Sequence, residues 1–250
     1  MNRFWITTRM TFLRLLRNPT TMLVQLGVPL VLIPILGYSL SGIPGIDTFL
    51  KGTSVMTFMA MVVIIMFQLF SGGFMMTYVN DAYFSVRKWR MRMLPCRPAV
   101  IVFGVLIAGL AVSLLQGAAL AGLSTLILGA RFGCFGVALL VFLGLSLFAQ
   151  LLGTLMLLGF RSYGPAFSMT WIVSYGSCVL AGMIFPLPTN LPVFRFLTTY
   201  GTPASLAQTA LLSAARSGSS SEIALCLGVL FLASAILGLL VSLLARRRLA

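Results

Sequence analysis

The sequence predicts an all-α integral membrane fold: six transmembrane helices, an N-terminal amphipathic interfacial helix, and a broken outer helical hairpin between the fifth and sixth spans. Three observations carry this. The 250 residues are 60% hydrophobic and 8% charged, with a mean hydropathy of +1.08, far outside the range of soluble domains. Stretches long enough to cross a hydrocarbon core of about 30 Å, which takes about 20 apolar residues, recur along the whole chain, so 1–250 reads as a single transmembrane domain. The basic residues fill alternate gaps. Arg3, Arg9, Arg14, Arg17, five residues of a central loop, Arg161 and Arg246 to Arg248 fall on one side; Lys51, Arg131, Arg195 and Arg216 fall on the other. Positive loops stay cytoplasmic, so both termini are expected there. A net charge of +14, which in a soluble chain would point to nucleic acid, reads here as topology, and no nucleic-acid partner is expected.

Residues 1–18 have helical periodicity. At about 100° per residue, Phe4, Trp5, Thr8, Phe12, Leu15 and Leu16 share one side, Arg3, Arg14 and Arg17 lie roughly opposite, and Arg9 interrupts one edge. This is the pattern of a helix lying in the inner membrane interface. Asn18-Pro19, an N-cap type followed by Pro at the first helical position, opens a first span over 20–40 that Pro29 and Pro34 should kink. A Gly- and Pro-containing outer loop leads to the second span, 53–79, rich in Met and Phe. Such side chains suit poorly defined greasy ligands, and lipid contact or core packing accounts for them equally well. Gln68 lies near mid-membrane, where its amide needs a partner.

The loop over 80–97 carries Arg87, Lys88, Arg90, Arg92 and Arg97 against Asp81 alone. Each such base at a helix centre costs roughly 2.5–3.5 kcal/mol on insertion scales, so the loop stays in water. The third span, 98–128, starts at Pro98 and is studded with small residues that permit close helix approach. A tight outer turn over 129–133 leads to the fourth span, 134–158, and a short cytoplasmic turn to the fifth, 165–184. In 185–218, Pro186, Pro188, Pro192 and Pro203 forbid one continuous helix, yet the segment is too apolar for a free loop. Two short helices, near Pro192–Thr199 and Pro203–Arg216, reconcile both facts. Ser219 and Glu222 have capping-box spacing ahead of the last span, 222–244.

The composition also removes chemistries. Asp47, Asp81 and Glu222 are the three acids, and none lies in a predicted span, whereas ion-coupled carriers keep ionisable groups at membrane depth. There is no His, hence no apparent metal set, acid–base pair or nucleophile relay, and no catalytic residue is assigned. Cys96, Cys134, Cys178 and Cys226 show no metal-binding spacing; a Cys134–Cys226 disulfide stays open. Neither Lys51 nor Lys88 stands in a P-loop context, so uphill work needs energy from a second protein.

Three places resemble a known family. Arg17-Asn18-Pro19 after an amphipathic helix, then a span with Pro29, is similar to the opening motif of the type-2 permeases of ABC transporters. Leu94-Pro95-Cys96-Arg97 resembles the family's Leu-Pro-x-Ser/Arg pattern after the coupling loop. Gly182-Met183-Ile184-Phe185-Pro186, then Leu191-Pro192 and Pro203, resembles its broken outer hairpin. The family commonly has an acidic pair before its Leu-Pro motif; here Asp81 stands alone.

The resemblance implies a permease subunit of an ATP-driven exporter in a cell membrane, expected to be a bacterial inner membrane. It implies a second permease, identical or a sister, and two cytoplasmic P-loop ATPase subunits that hold the ATP and Mg, with no cofactor on this chain. ATPase docking is expected at Asp81, Tyr83, Phe84, Arg87, Lys88, Trp89, Arg90 and Arg92. The substrate path is expected at Met66, Phe67, Gln68, Phe70, Trp171 and Tyr175, and an outer gate at Phe185, Pro186 and Pro192. Phe4, Trp5, Phe12, Arg14 and Arg17 of the interfacial helix meet lipid. The apolar, aromatic lining suits an amphiphile, such as a drug, lipid or hydrophobic peptide, better than a glycan. A non-transporting membrane scaffold and an ion-coupled carrier remain the alternative readings.

Overall fold

In hydrocarbon a chain must satisfy its own backbone, which helices do without help. Every regular element among the described residues is helical. The computed structural model describes residues 3–42, 50, 52–83, 98–160, 162–185, 187, 191–216 and 218–249.

Helix α1 (Arg3–Leu16) buries Thr8 and Leu15 and half-buries Phe12, lying along the third span where Gly104 makes room for Thr7 and Thr8. The predicted apolar stripe is therefore divided. Trp5 and Leu16 face outward with Ile6, Met10 and Leu13.

Helix α2 (Pro19–Ser41) starts as the Asn18-Pro19 pair predicts: Asn18 Oδ1 accepts from Thr21 N at 3.4 Å, with Pro19 in the first turn. Pro29 leaves the carbonyl four residues back, that of Gln25, without its helical donor. The chain answers with a π-turn over Leu23–Gly27, and Gln116 Nε2 from the third span donates to the freed Gln25 carbonyl.

Helix α3 (Val55–Tyr83) runs beyond the predicted end at 79. Asn80, Asp81, Ala82 and Tyr83 are helical rather than loop, because polarity marks where the bilayer ends, while only Gly, Pro or a cap ends a helix. Helix α4 (Pro98–Leu128) has the predicted bounds. The turn after it uses Gly129 and Gly133 in the left-handed region, at φ 64° and 70°. Helix α5 (Phe135–Phe160) follows.

Helix α6 (Tyr163–Leu180) is shorter at its far end than the predicted fifth span. Gly182, at φ 71°, stops it: Gly182 N donates to Val179 O at 2.9 Å and Met183 N to Cys178 O at 3.2 Å, the paired bonds of a Schellman motif. Helices α2, α3, α4, α5 and α9 (Ser220–Leu249) are long and apolar enough to cross a membrane. Helix α6, with 18 residues and the buried hydroxyls of Thr170, Ser174 and Ser177, is more polar and is not among them.

The broken hairpin takes the form of helix α7 (Pro192–Phe196), prolonged by a π-turn over Leu197–Gly201, and helix α8 (Pro203–Ala215). A capping box of Thr202 with Ser205 starts α8. The box expected at Ser219 and Glu222 does not form: Glu222 instead accepts from Ser213 Oγ at 2.6 Å, which ties the end of α8 to the start of α9. Cys134, Cys178 and Cys226 are free thiols, so the Cys134–Cys226 bridge is absent.

Helix α3 is the axis of the bundle, with 83% of its most apolar stretch buried, against 22% for α2 and 17% for α9. It meets α5 backbone to backbone. A Cβ on Gly72 would collide with the Ala149 carbonyl, and one on Gly153 would sit 2.5 Å from the Gly72 oxygen. Gly72→Ala should therefore cost about 1–3 kcal/mol, the usual overpacking penalty. Gly122→Ala, whose new Cβ meets nothing within 4 Å, should cost none. Apparent melting temperatures of the purified variants in detergent test the contrast, and equal values would refute the close contact.

Candidate functional site

Two faces of α3 carry most of its polar and aromatic side chains. On the first, Gln68 is buried among α3, α4 and α5. Its Nε2 donates to Ser113 O at 2.8 Å, and its Oε1 accepts from Ser146 Oγ. Gln150 Nε2 reaches Ser113 Oγ at 3.3 Å. The amide that needed a partner has two, and both lie away from α6. Gln68 thus sits apart from the other expected path residues, as part of the bundle's internal polar joinery.

The second face meets α6 in a seam of rings. Phe70 stacks on Trp171 with centroids 4.1 Å apart. Phe67 lies edge-on to Phe70 at 6.1 Å, and Phe74 edge-on to Trp171 at 6.3 Å. Trp171 continues to Phe167 at 5.7 Å and Phe167 to Tyr163 at 5.4 Å. Thr77 and Tyr163 join their hydroxyls at 3.0 Å. Offset and edge-on pairs of this kind are each worth about 0.5–1.5 kcal/mol beyond their buried area. The Trp171 ring fits over Gly73, where a Cβ would lie 2.9 Å from Nε1. That buried indole N–H has no hydrogen-bond partner among the described residues.

The structure thus brings Phe67, Phe70 and Trp171 together. Met66 is half-buried against the core, and Tyr175, one turn beyond Trp171, is exposed. Phe74, Phe167, Tyr163 and Thr77 belong to the same seam, beyond the residues expected there. Their signal was present in the spacing: 163, 167 and 171 recur every four residues on one helix face, as do 70 and 74.

The seam borders a cleft of about 790 Å³ between α1, the start of α2 and the last turns of α3. Arg14 Nη2 and Asp81 Oδ2 form an ion pair at 3.1 Å, both partly exposed, and the Arg14 guanidinium lies 5.3 Å above the Tyr78 ring, a cation–π arrangement. Asn18 Nδ2 donates to Tyr78 Oη at 3.1 Å. Asp81, expected at the docking loop, is therefore engaged with α1. Of the other docking candidates, Phe84, Arg87, Lys88, Trp89, Arg90 and Arg92 lie outside the described residues, as do the side chains of Tyr83 and Phe4.

At the opposite end of α6, Thr202 Oγ1 donates to Ser177 O at 3.2 Å and Ala204 N to Ser177 Oγ at 3.3 Å, tying the hairpin to the end of the helix. Of the expected gate residues, Phe185 is exposed, Pro192 opens α7, and Pro186 lies outside the described residues.

Residues 2–215 match the family model described as ABC-2 type transporter. No curated protein matches the chain.

The polar joinery makes its own prediction. Gln68→Leu removes the second bond to the Ser113 carbonyl and the bond that the Ser146 hydroxyl donates, and should lower stability by about 1–2 kcal/mol. Pairing it with Ser146→Ala in a double-mutant cycle, read by denaturation of the purified protein in mixed micelles, should reveal a coupling energy. Strict additivity would mean the bond is not made.

Proposed function

Because the chain belongs to the ABC-2 type transporter family and is a membrane permease of an ABC transporter, we propose that it exports an amphiphile by alternating access. The cargo class we favour is a drug, lipid or hydrophobic peptide. In this reading α6, the fifth in chain order, completes the six spans and is short because its inward hydroxyls and rings face protein and cargo rather than lipid. The observation that carries it is the ring seam between α3 and α6, where Phe70 lies on Trp171 at 4.1 Å. Such a surface adapts to greasy cargo of variable shape.

The open faces of α2 and α9 suit contact with a second permease and with lipid. Energy comes from two cytoplasmic ATPase subunits that bind ATP and Mg. Their closure pushes on 80–97 and on α1, and the hairpin of α7 and α8 closes the outer exit. Both termini are cytoplasmic, and the membrane is a bacterial inner membrane. A scaffold role would leave both the ring seam and the match to a transporter family without a use.

Purification in mild detergent should bring down a P-loop ATPase whose turnover responds to cargo. Trp171→Ala, losing ring contacts worth about 0.5–1.5 kcal/mol each, should shift the cargo concentration for half-maximal stimulation by about two- to tenfold. Replacing Arg87, Lys88, Arg90 and Arg92 by Gln should uncouple hydrolysis from export while insertion persists. Unchanged export in that variant would defeat the mechanism, and labelling of Cys96 from outside sealed cells, in a Cys134→Ser background, would defeat the orientation.

A further inference from the structure

The cleft beside the ring seam supports an inference that rests on the permease reading and specifies the cargo's polar end. Its volume of about 790 Å³ falls in the range of about 300–1,000 Å³ that holds drug-sized ligands. The lining is of two kinds. Met10, Leu13 and Phe74 supply apolar surface, while Arg14, Arg17, Asn18 and Asp81 supply charge and hydrogen bonds.

The two guanidinium groups lie three residues apart on adjacent turns at the end of α1 and outnumber the single carboxylate in the lining. Asp81 and Tyr78 hold Arg14 in place. One nitrogen is committed to Asp81, which leaves most of the five donors of the fork for something else. Arg17 is exposed and forms no ion pair among the described residues. Guanidinium forks match the several oxygens of a phosphate group.

Phe74 joins the cleft to the seam: it lies on the lining and edge-on to Trp171. We propose that this cleft seats the phosphate-type head of an amphiphile on Arg14 and Arg17, with its apolar chain along Met10, Leu13 and Phe74 toward the ring seam. Asp81 then has a second effect. It orients Arg14, and it opposes the incoming anion.

The test is equilibrium binding of radiolabelled dodecyl phosphate to the purified full-length protein in uncharged maltoside micelles. Saturable binding of about one molecule per chain is expected. Arg14→Gln and Arg17→Gln should each weaken it by about 10- to 100-fold, the range for a charge-assisted hydrogen bond, while Arg17→Lys weakens it less. Asp81→Asn should tighten it severalfold, a change of sign that a misfolded variant does not produce.

Dodecyltrimethylammonium should not compete, and inorganic phosphate should compete only far more weakly than the dodecyl ester. Unchanged binding in both Gln variants, weaker binding in Asp81→Asn, or equal competition by the cation would overturn the proposal. Equal competition by inorganic phosphate would overturn the amphiphile in favour of a free phosphate. If no ATPase copurifies while this binding pattern holds, the permease reading fails and the site stands.

Discussion

Gly72 and Gly153 let α3 and α5 touch backbone to backbone, with the Ala149 carbonyl in the space a side chain would take. Between helices in hydrocarbon there is no gain from squeezing out water, so close van der Waals contact and shared hydrogen bonds supply the attraction. That contact fixes the rotation of α3 about its own axis, and the rest of the bundle takes its bearings from it. With Gly72 against α5, Gln68 one turn away falls beside Ser113 and Ser146. Phe67, Phe70, Phe74, Tyr78 and Asp81, spaced by three and four residues, fall on another face. Three of these rings build the seam and its border with α6, and the remaining two residues meet α1.

This division explains what could be read in advance. Helix starts were legible where a residue carries its own instruction: Asn18-Pro19, Pro98 and Pro203 each begin a helix as their chemistry requires. Ends were harder. Charge excludes Asp81 from hydrocarbon and so suggests a loop, yet nothing between Val79 and Tyr83 breaks a helix. Gly182 carries a stop signal that span length alone does not show. Glu222 had the spacing of a cap, but Ser213 on another helix offered a better bond.

The site was legible by type and less so by partner. Phe70 and Trp171, expected near one another, do meet, while the bonds of Gln68, expected beside them, lead elsewhere, which neighbours in sequence do not reveal. Its true partners lie 45 and 78 residues away. The cleft is less visible still, since it exists only where the end of α1 and the end of α3, 67 residues apart at Arg14 and Asp81, come together.

The same bonds bear on how a push could travel. Asn18 to Tyr78 and Arg14 to Asp81 bind α1 and the start of α2 to the last turns of α3, so a force applied after Tyr83 in the proposed mechanism acts on these elements together. Helix α3 contains no proline, and its one point of weakness is the pair Gly72-Gly73, the kind of site at which long helices bend. Both glycines are occupied from outside, Gly72 by the Ala149 carbonyl and Gly73 by the Trp171 ring. Bending α3 there would therefore disturb the stack on Phe70 at the same moment. Cargo that displaces the Trp171 ring would release one of the two clamps on that pair. The ring seam braces α3, and in the proposed mechanism, where the same seam meets cargo, occupancy of the path and movement of the end of α3 beyond Tyr78 would become one event.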